Sequence, residues 1–296
     1  MRILLLGANG QGGHELRRAL ALAPAGELVC ATRGGLLDDG SRCEIADLDR
    51  PASLSGLIER IAPDVVVNAA AYTAVDRAES EPEAAFRVNA EAPAALASAC
   101  AARGILLVHY STDYVFDGTA RRPYREDDPV SPVSVYGRSK LAGEDAIRAS
   151  GARHMIFRTA WVYAGRAHNF MQTMLRLARE RDELRVVDDQ VGSPTPAALI
   201  ADVTAHALAR PPTGSGTWHL TTGGQVSWHG FATAILTRAG AIGVIDRIPA
   251  VIPITTADYP TPARRPAYSC LDCSRLEREF GIDMPSWQAA LDTILL

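Results

Sequence analysis

The chain has 296 residues, is 47% hydrophobic and 22% charged, and carries a formal charge of −4 with a pI near 6.0. That length can bury the core of one large α/β domain, or of one domain with a smaller lobe. The lack of a basic field excludes nucleic acid and anionic membrane surfaces as partners of the whole molecule and leaves a small molecule.

The chain opens with Arg2 and an apolar run that stops at Gly7, which reads as a strand and not as a leader. Strand and helix patterns then alternate. The predicted order is strand Arg2–Leu6, helix Gly12–Leu22, strand Leu28–Thr32, helix Pro51–Ile61, strand Val65–Asn68 and helix Pro82–Arg103. It continues with strand Leu106–Tyr110, helix Tyr136–Ala149, strand Met155–Arg158, helix Phe170–Glu180, strand Arg185–Val187 and helix Pro196–Ala209. Continuous apolar strands separated by helices predict a Rossmann-type α/β fold with a doubly wound parallel sheet.

After about Gly192 the texture changes, with Ser193-Pro194-Thr195-Pro196, Pro211-Pro212 and a proline-rich stretch from Pro249 to Pro266. The expected division is an NAD(P)-binding domain over 1–192 and a smaller, mainly substrate-binding lobe over 193–296, from which the chain is free to return to the first domain. With part of Ala160–Asn169, that lobe would cover the open end of the sheet. No apolar stretch approaches the ~20 residues of a spanning helix. The five cysteines are odd in number and mostly scattered, which describes no disulfide framework and suits a reducing cytoplasm.

Three segments carry chemistry. Gly7-Ala8-Asn9-Gly10-Gln11-Gly12-Gly13 joins the first strand to the first helix, where Gly7, Gly10 and Gly13 allow a tight turn, close approach of a pyrophosphate and close helix packing. The second strand ends in Cys30-Ala31-Thr32-Arg33, with no carboxylate for a ribose; Arg33 suits a 2′-phosphate and inclines the reading to NADPH over NADH.

Tyr136 and Lys140 lie four residues apart at the start of a helix and so face one side of it. A phenol with a pKa near ~10 exchanges protons more readily beside a cation, and the compact ammonium of lysine can also reach a ribose hydroxyl. Of 30 basic side chains, 29 are arginine, so placing the sole lysine here argues for a specific role. Ser111 to Gly118 follows the strand Leu106–Tyr110, putting hydroxyls at a carboxyl end where a substrate carbonyl can be held.

These segments, with Asn68 to Asp76, Arg158 to Tyr163 and Asp189 to Thr195, resemble the dTDP-4-dehydrorhamnose reductase family of extended short-chain dehydrogenases over nearly the whole chain. The resemblance implies hydride transfer from NAD(P)H to the 4-keto carbon of dTDP-4-dehydro-6-deoxy-L-mannose, giving dTDP-L-rhamnose. It implies Tyr136 as proton donor, Lys140 as its electrostatic and ribose-binding partner, and Thr112 as the carbonyl-positioning hydroxyl. Thr112, Asp113 and Trp161 would contact the sugar nucleotide. Gly10, Gln11 and Gly12 would touch the cofactor phosphates, Asp47 and Leu48 would lie by the adenine, and Ala71, Tyr72 and Thr73 would line the cofactor strand ends.

Some members of that family hold magnesium across a dimer contact, for which the resemblance offers Glu15; no metal site is assigned, and a homodimer stays open. A related dehydratase class has Thr-Asp-Glu where this chain has Thr112-Asp113-Tyr114, which argues for reduction without elimination. Two alternatives remain. One is a reductase or epimerase of another nucleotide sugar, and the other is a non-catalytic nucleotide-binding regulatory subunit, against which intact Thr112, Tyr136 and Lys140 argue. Arg264-Arg265 is a candidate for diphosphate binding or a solvated turn. His109 reads as a packed, hydrogen-bonded side chain, and Glu126-Asp127-Asp128 as a solvated loop. Cys270 and Cys273 offer two thiolates where structural zinc takes four ligands.

Overall fold

The computed structural model describes residues 1–21 and 26–295, so the predicted end of the first helix at Leu22 lies outside the described residues. The first half of the chain runs β1 (Ile3–Leu6), α1 (Gln11–Ala21), β2 (Leu28–Thr32), β3 (Glu44–Ile45), α2 (Leu54–Ile61) and β4 (Val65–Asn68). It continues through α3 (Val75–Ala78), α4 (Pro82–Phe86), α5 (Ala92–Ala101), β5 (Leu106–Thr112), α6 (Val135–Ala149) and β6 (His154–Thr159). The second half contains β7 (Val162–Tyr163), α7 (Phe170–Glu180), β8 (Glu183–Val187), β9 (Val191–Gly192), β10 (Thr195–Pro196) and α8 (Ala197–Ala209). It ends with β11 (Gly216–His219), β12 (Val226–Ser227), α9 (Trp228–Ala241), β13 (Ala250–Ile254), α10 (Ser274–Phe280) and α11 (Trp287–Leu295).

Seven parallel strands form the central sheet in the order β11-β6-β5-β4-β1-β2-β3. Alternating residues of each strand serve opposite faces. Ile3, Leu5, Val65 and Val67 pack with Leu16 and Leu20 of α1 and Ile200 and Val203 of α8. Leu4, Leu6 and Val66 pack with Leu57 and Ile58 of α2 and Leu96 and Cys100 of α5. Strand order reverses between β1 and β4, which opens a crevice at their carboxyl ends.

Several expectations are corrected. The strand predicted at Arg185–Val187 belongs to β8, which pairs in parallel with β13 outside the central sheet. Its exposure alternates from residue to residue, so it lacks the two buried faces of a central strand. The seventh central strand is β11, a short mixed segment without an apolar run. The helix predicted over Pro82–Arg103 is α4 and α5 joined by a π-helical turn at Arg87–Glu91, and β5 runs two residues beyond its predicted end. A third cluster joins Tyr163, Met171, Leu175 and Leu184 to Phe231, Ile235, Trp287 and Leu291, drawing on chain from both sides of Gly192.

Candidate active site

The glycine turn lies at the switch point of the sheet. Gly7 has φ +76°, which suits glycine, and its carbonyl accepts from Gly10 N at 2.9 Å. A Cβ on Gly13 would stand 2.0 Å from that carbonyl, so α1 packs on β1 only without a side chain there, whereas the space beside Gly12 is open. The first N–H groups of α1 have no intrahelical acceptors and line this space as anion donors. Gln11 is held at one edge, its Oε1 accepting from Asn169 Nδ2 at 3.0 Å. This turn fits a dinucleotide pyrophosphate.

At the neighbouring strand ends, Arg33 is exposed and its Nε lies 3.8 Å from Asp47 Oδ1. An arginine and an acid thus share the position where the adenosine ribose would sit. Leu48 is buried in the core, so its side chain is not available to an adenine and only its backbone can serve. Ala71 and Thr73 are exposed along the crevice. Between them the backbone of Tyr72 is clamped by Asn89, whose Oδ1 accepts from Tyr72 N at 2.9 Å and whose Nδ2 donates to Tyr72 O at 3.0 Å.

The helix α6 delivers Tyr136 and Lys140. Ser134 caps it by accepting from Gly137 N at 3.1 Å, and Gly137 lets it approach the turn after β5, because a Cβ there would stand 2.2 Å from Tyr114 O. Tyr114 meets the Tyr136 ring edge-on at 5.7 Å. Burial pushes the Tyr136 phenol up to about 12, while the neighbouring Thr112 hydroxyl pulls it down and Asp113 adds a smaller upward push. Without cofactor, desolvation dominates and the phenol stays protonated. Lys140 is 2% exposed, and burial lowers its ammonium to about 8 against the favourable field of Glu144.

Thr112 is the last residue of β5, paired in register with Thr159 of β6. Its hydroxyl donates to Asp113 Oδ1 at 2.9 Å. Asp113 is 2% exposed, its Oδ2 has no hydrogen-bond partner, and burial raises it to about 6. Trp161 follows Thr159 by two residues and holds φ +47°, a strained conformation for a bulky side chain. Its indole stacks on Trp228 with centroids 3.4 Å apart, and a Cβ on Gly192 would lie 2.4 Å from it. The structure therefore gathers Thr112, Asp113, Tyr136 and Lys140 at the carboxyl end of β5, with Trp161 at the end of β6.

Four side chains around this group went unassigned from sequence. Asn89 ties the crevice loop to Ser139 of α6 at 3.0 Å, and His109 stands 3.3 Å from Lys140 Nζ. Glu144, fully buried, accepts two hydrogen bonds from Arg158 of β6 at 2.9 and 2.8 Å. One signal was available for Glu144: with Tyr136 and Lys140 it makes two steps of four along the same helix face.

Other candidates fare differently. Arg265 already grips Asp76 through both carboxylate oxygens, at 3.0 and 2.7 Å, so it is not free for a diphosphate, while Arg264 is exposed. The acidic loop is structural in part, since Glu126 accepts from His219 N and Asp128 binds the Arg122 guanidinium. Glu15 pairs with Arg18, and no group of three metal-ligating side chains occurs among the described residues. Cys273 Sγ accepts from Thr221 N, and Cys270 is buried. No helix among the described residues is long and apolar enough to cross a membrane.

A family model for the RmlD substrate binding domain matches residues 1–296. The dTDP-4-dehydrorhamnose reductase of Burkholderia thailandensis is 50% identical over 300 residues, spanning 98% of this chain and 97% of that protein. The one from Shigella flexneri is 45% identical over 298 residues, spanning 100% and 97%. Among solved structures, a dTDP-4-dehydrorhamnose reductase from Clostridium acetobutylicum is similar with a TM-score of 0.89 at 37% identity, covering 100% of this chain and 98% of that one. Another from Bacillus anthracis, in complex with NADP, has a TM-score of 0.88 at 33% identity, covering 99% and 98%.

Proposed function

The chain belongs to the RmlD substrate binding domain family, and we infer from that membership and from its site that it reduces the 4-keto group of dTDP-4-dehydro-6-deoxy-L-mannose to give dTDP-L-rhamnose. It is an NAD(P)H-dependent oxidoreductase. The observation that carries the reading is the convergence of Thr112, Tyr136 and Lys140 at the carboxyl end of β5, beside the glycine turn at the switch point.

When bound, the nicotinamide supplies the hydride. Gly7, Gly10, Gln11, Gly12 and Gly13 would hold the pyrophosphate, Ala71 to Thr73 the crevice wall, and Arg33, Asp47 and the Leu48 backbone the adenosine end. Thr112 and Tyr136 would hold the carbonyl oxygen between two hydroxyls. Tyr136 would then donate its proton to the developing alkoxide, a role suited to a phenol that burial keeps protonated at neutral pH. Lys140 would bind the ribose and stabilise the phenolate left behind. Asp113 and Trp161 would hold the sugar nucleotide, the former offering the unpartnered Oδ2 to a substrate hydroxyl. The cluster around Tyr163 and Phe231 would form the body of the substrate lobe.

The test is NADPH oxidation, followed by absorbance, with dTDP-4-dehydro-6-deoxy-L-mannose as acceptor. Wild type should turn over, and Tyr136→Phe should lose ~10²- to 10⁴-fold in kcat while still binding NADPH. Binding of cofactor by both proteins with turnover by neither would remove this substrate and favour another nucleotide sugar or a regulatory nucleotide-binding role. The same membership carries a homodimer and a cytoplasmic location as proposals, to be checked by sedimentation and cell fractionation.

A further inference from the structure

The Lys140 amine has defined inner partners. Nζ donates to the Tyr110 carbonyl at 2.5 Å and stands 3.3 Å from His109 Nε2. An ammonium has three N–H donors, so two directed inward leave one for the open side of the site. His109 is 1% exposed, and its other nitrogen, Nδ1, lies 3.1 Å from Asn68 Nδ2.

A neutral imidazole carries one N–H and cannot accept at both nitrogens. When Lys140 is charged, Nε2 accepts from it, so Nδ1 holds the proton and donates to the Asn68 side-chain oxygen. When Lys140 is neutral, Nε2–H donates to the amine and Nδ1 accepts from the Asn68 amide. Asn68 Oδ1 also accepts from Ala70 N at 3.3 Å, a long bond that turning the amide exchanges for the one from Nδ1–H. The row Asn68–His109–Lys140 thus requires Nδ1–H when the amine is charged and admits Nε2–H only when it is neutral.

We propose that His109 is a positioning residue for Lys140, accepting from the ammonium at Nε2 so that one N–H stays directed at the cofactor ribose and Tyr136, with Asn68 turning its amide to match. The proposal rests on the reading of Lys140 as the ribose-binding partner of Tyr136. The surrounding charges are few. Glu144 and Tyr136 come from the same helix, His109 from β5 and Asp113 from the turn that follows it, and Arg158 of β6 and Arg148 are both bound to Glu144. Asn68 of β4 adds a neutral amide. Burial and the field of Lys140 both push His109 well below its ordinary value, which keeps it neutral and able to accept.

Because Lys140 is the sole lysine, protein grown on Cε-labelled lysine gives one Cε resonance, and its pH titration reads this amine alone. In cofactor-free protein, His109→Phe should lower the titration midpoint by about one to two pH units, the worth of a hydrogen bond to a buried charge. His109→Gln, which keeps an acceptor, should restore most of that shift. The affinity for NADPH should follow the same midpoint. In wild type, nitrogen chemical shifts of His109 should report Nδ1–H below the Lys140 midpoint and Nε2–H above it. An unmoved midpoint in folded His109→Phe, or in His109→Leu where the Phe variant does not fold, overturns the proposal. So does a His109 tautomer that ignores the Lys140 titration. These readings need no substrate, so loss of the reductase reading in the turnover assay would be seen separately.

Discussion

Asp113→Asn tests whether the site is built at the expense of the fold. The Asp113 carboxyl is 2% exposed, accepts one hydrogen bond from Thr112 and leaves Oδ2 without a partner. Burial raises its pKa from 3.8 to about 6, against smaller downward pulls from Ser269 and Thr112. The folded state therefore binds this proton more tightly than the unfolded chain does. The stability that follows is present below the unfolded value near ~4 and is lost as pH rises through the folded value. Two pH units correspond to roughly 3 kcal/mol. Asparagine keeps the shape and the oxygen facing Thr112, and its amide can turn toward Ser269. Unfolding in urea, followed by tryptophan fluorescence, should show Asp113→Asn more stable than wild type by ~1–3 kcal/mol at neutral pH, with the gap closing toward pH ~4. Turnover should fall ~10- to 100-fold if the charged oxygen meets a substrate hydroxyl. A variant no more stable than wild type at neutral pH, or a gap independent of pH, would refute the reasoning.

The buried pair of Glu144 on α6 and Arg158 on β6 should behave in the opposite sense. Arg158→Met strips Glu144 of its two buried hydrogen bonds, leaving only the partly exposed Arg148, and should cost ~3–5 kcal/mol. The double variant Glu144→Leu/Arg158→Met should recover most of that in the same urea experiment. The Arg158 guanidinium helps hold the Glu144 carboxyl below its usual value although burial opposes it. The contribution of the pair is thus present above the unfolded glutamate value near ~4.3 and lost on acidification. Arg33→Ala should lower kcat/KM for NADPH ~10-fold while leaving that for NADH unchanged; equal loss with both cofactors would remove Arg33 from the 2′-phosphate.

What could be read from sequence alone was whatever local spacing determines. Buried strands announce themselves as runs such as Val65-Val66-Val67, and the turn at Gly7 to Gly13 needs glycine because the backbone itself is crowded there. Tyr136 and Lys140 share a face because a helix turns once every ~3.6 residues. The rest depended on contacts between distant segments, which periodicity does not encode. β11 looks like loop until it pairs with β6, and β8 looks like a sheet strand until it pairs with β13. Arg265 looked free for phosphate, yet a carboxylate 189 residues away takes both arms of its guanidinium. His109 read as core from its apolar strand, and only the fold brings it to Lys140, 31 residues on. The protonation state of Tyr136 depends on the fold in the same way. Spacing places Lys140 on its helix face, but the desolvation that raises the phenol belongs to the packed site and to no local stretch of chain.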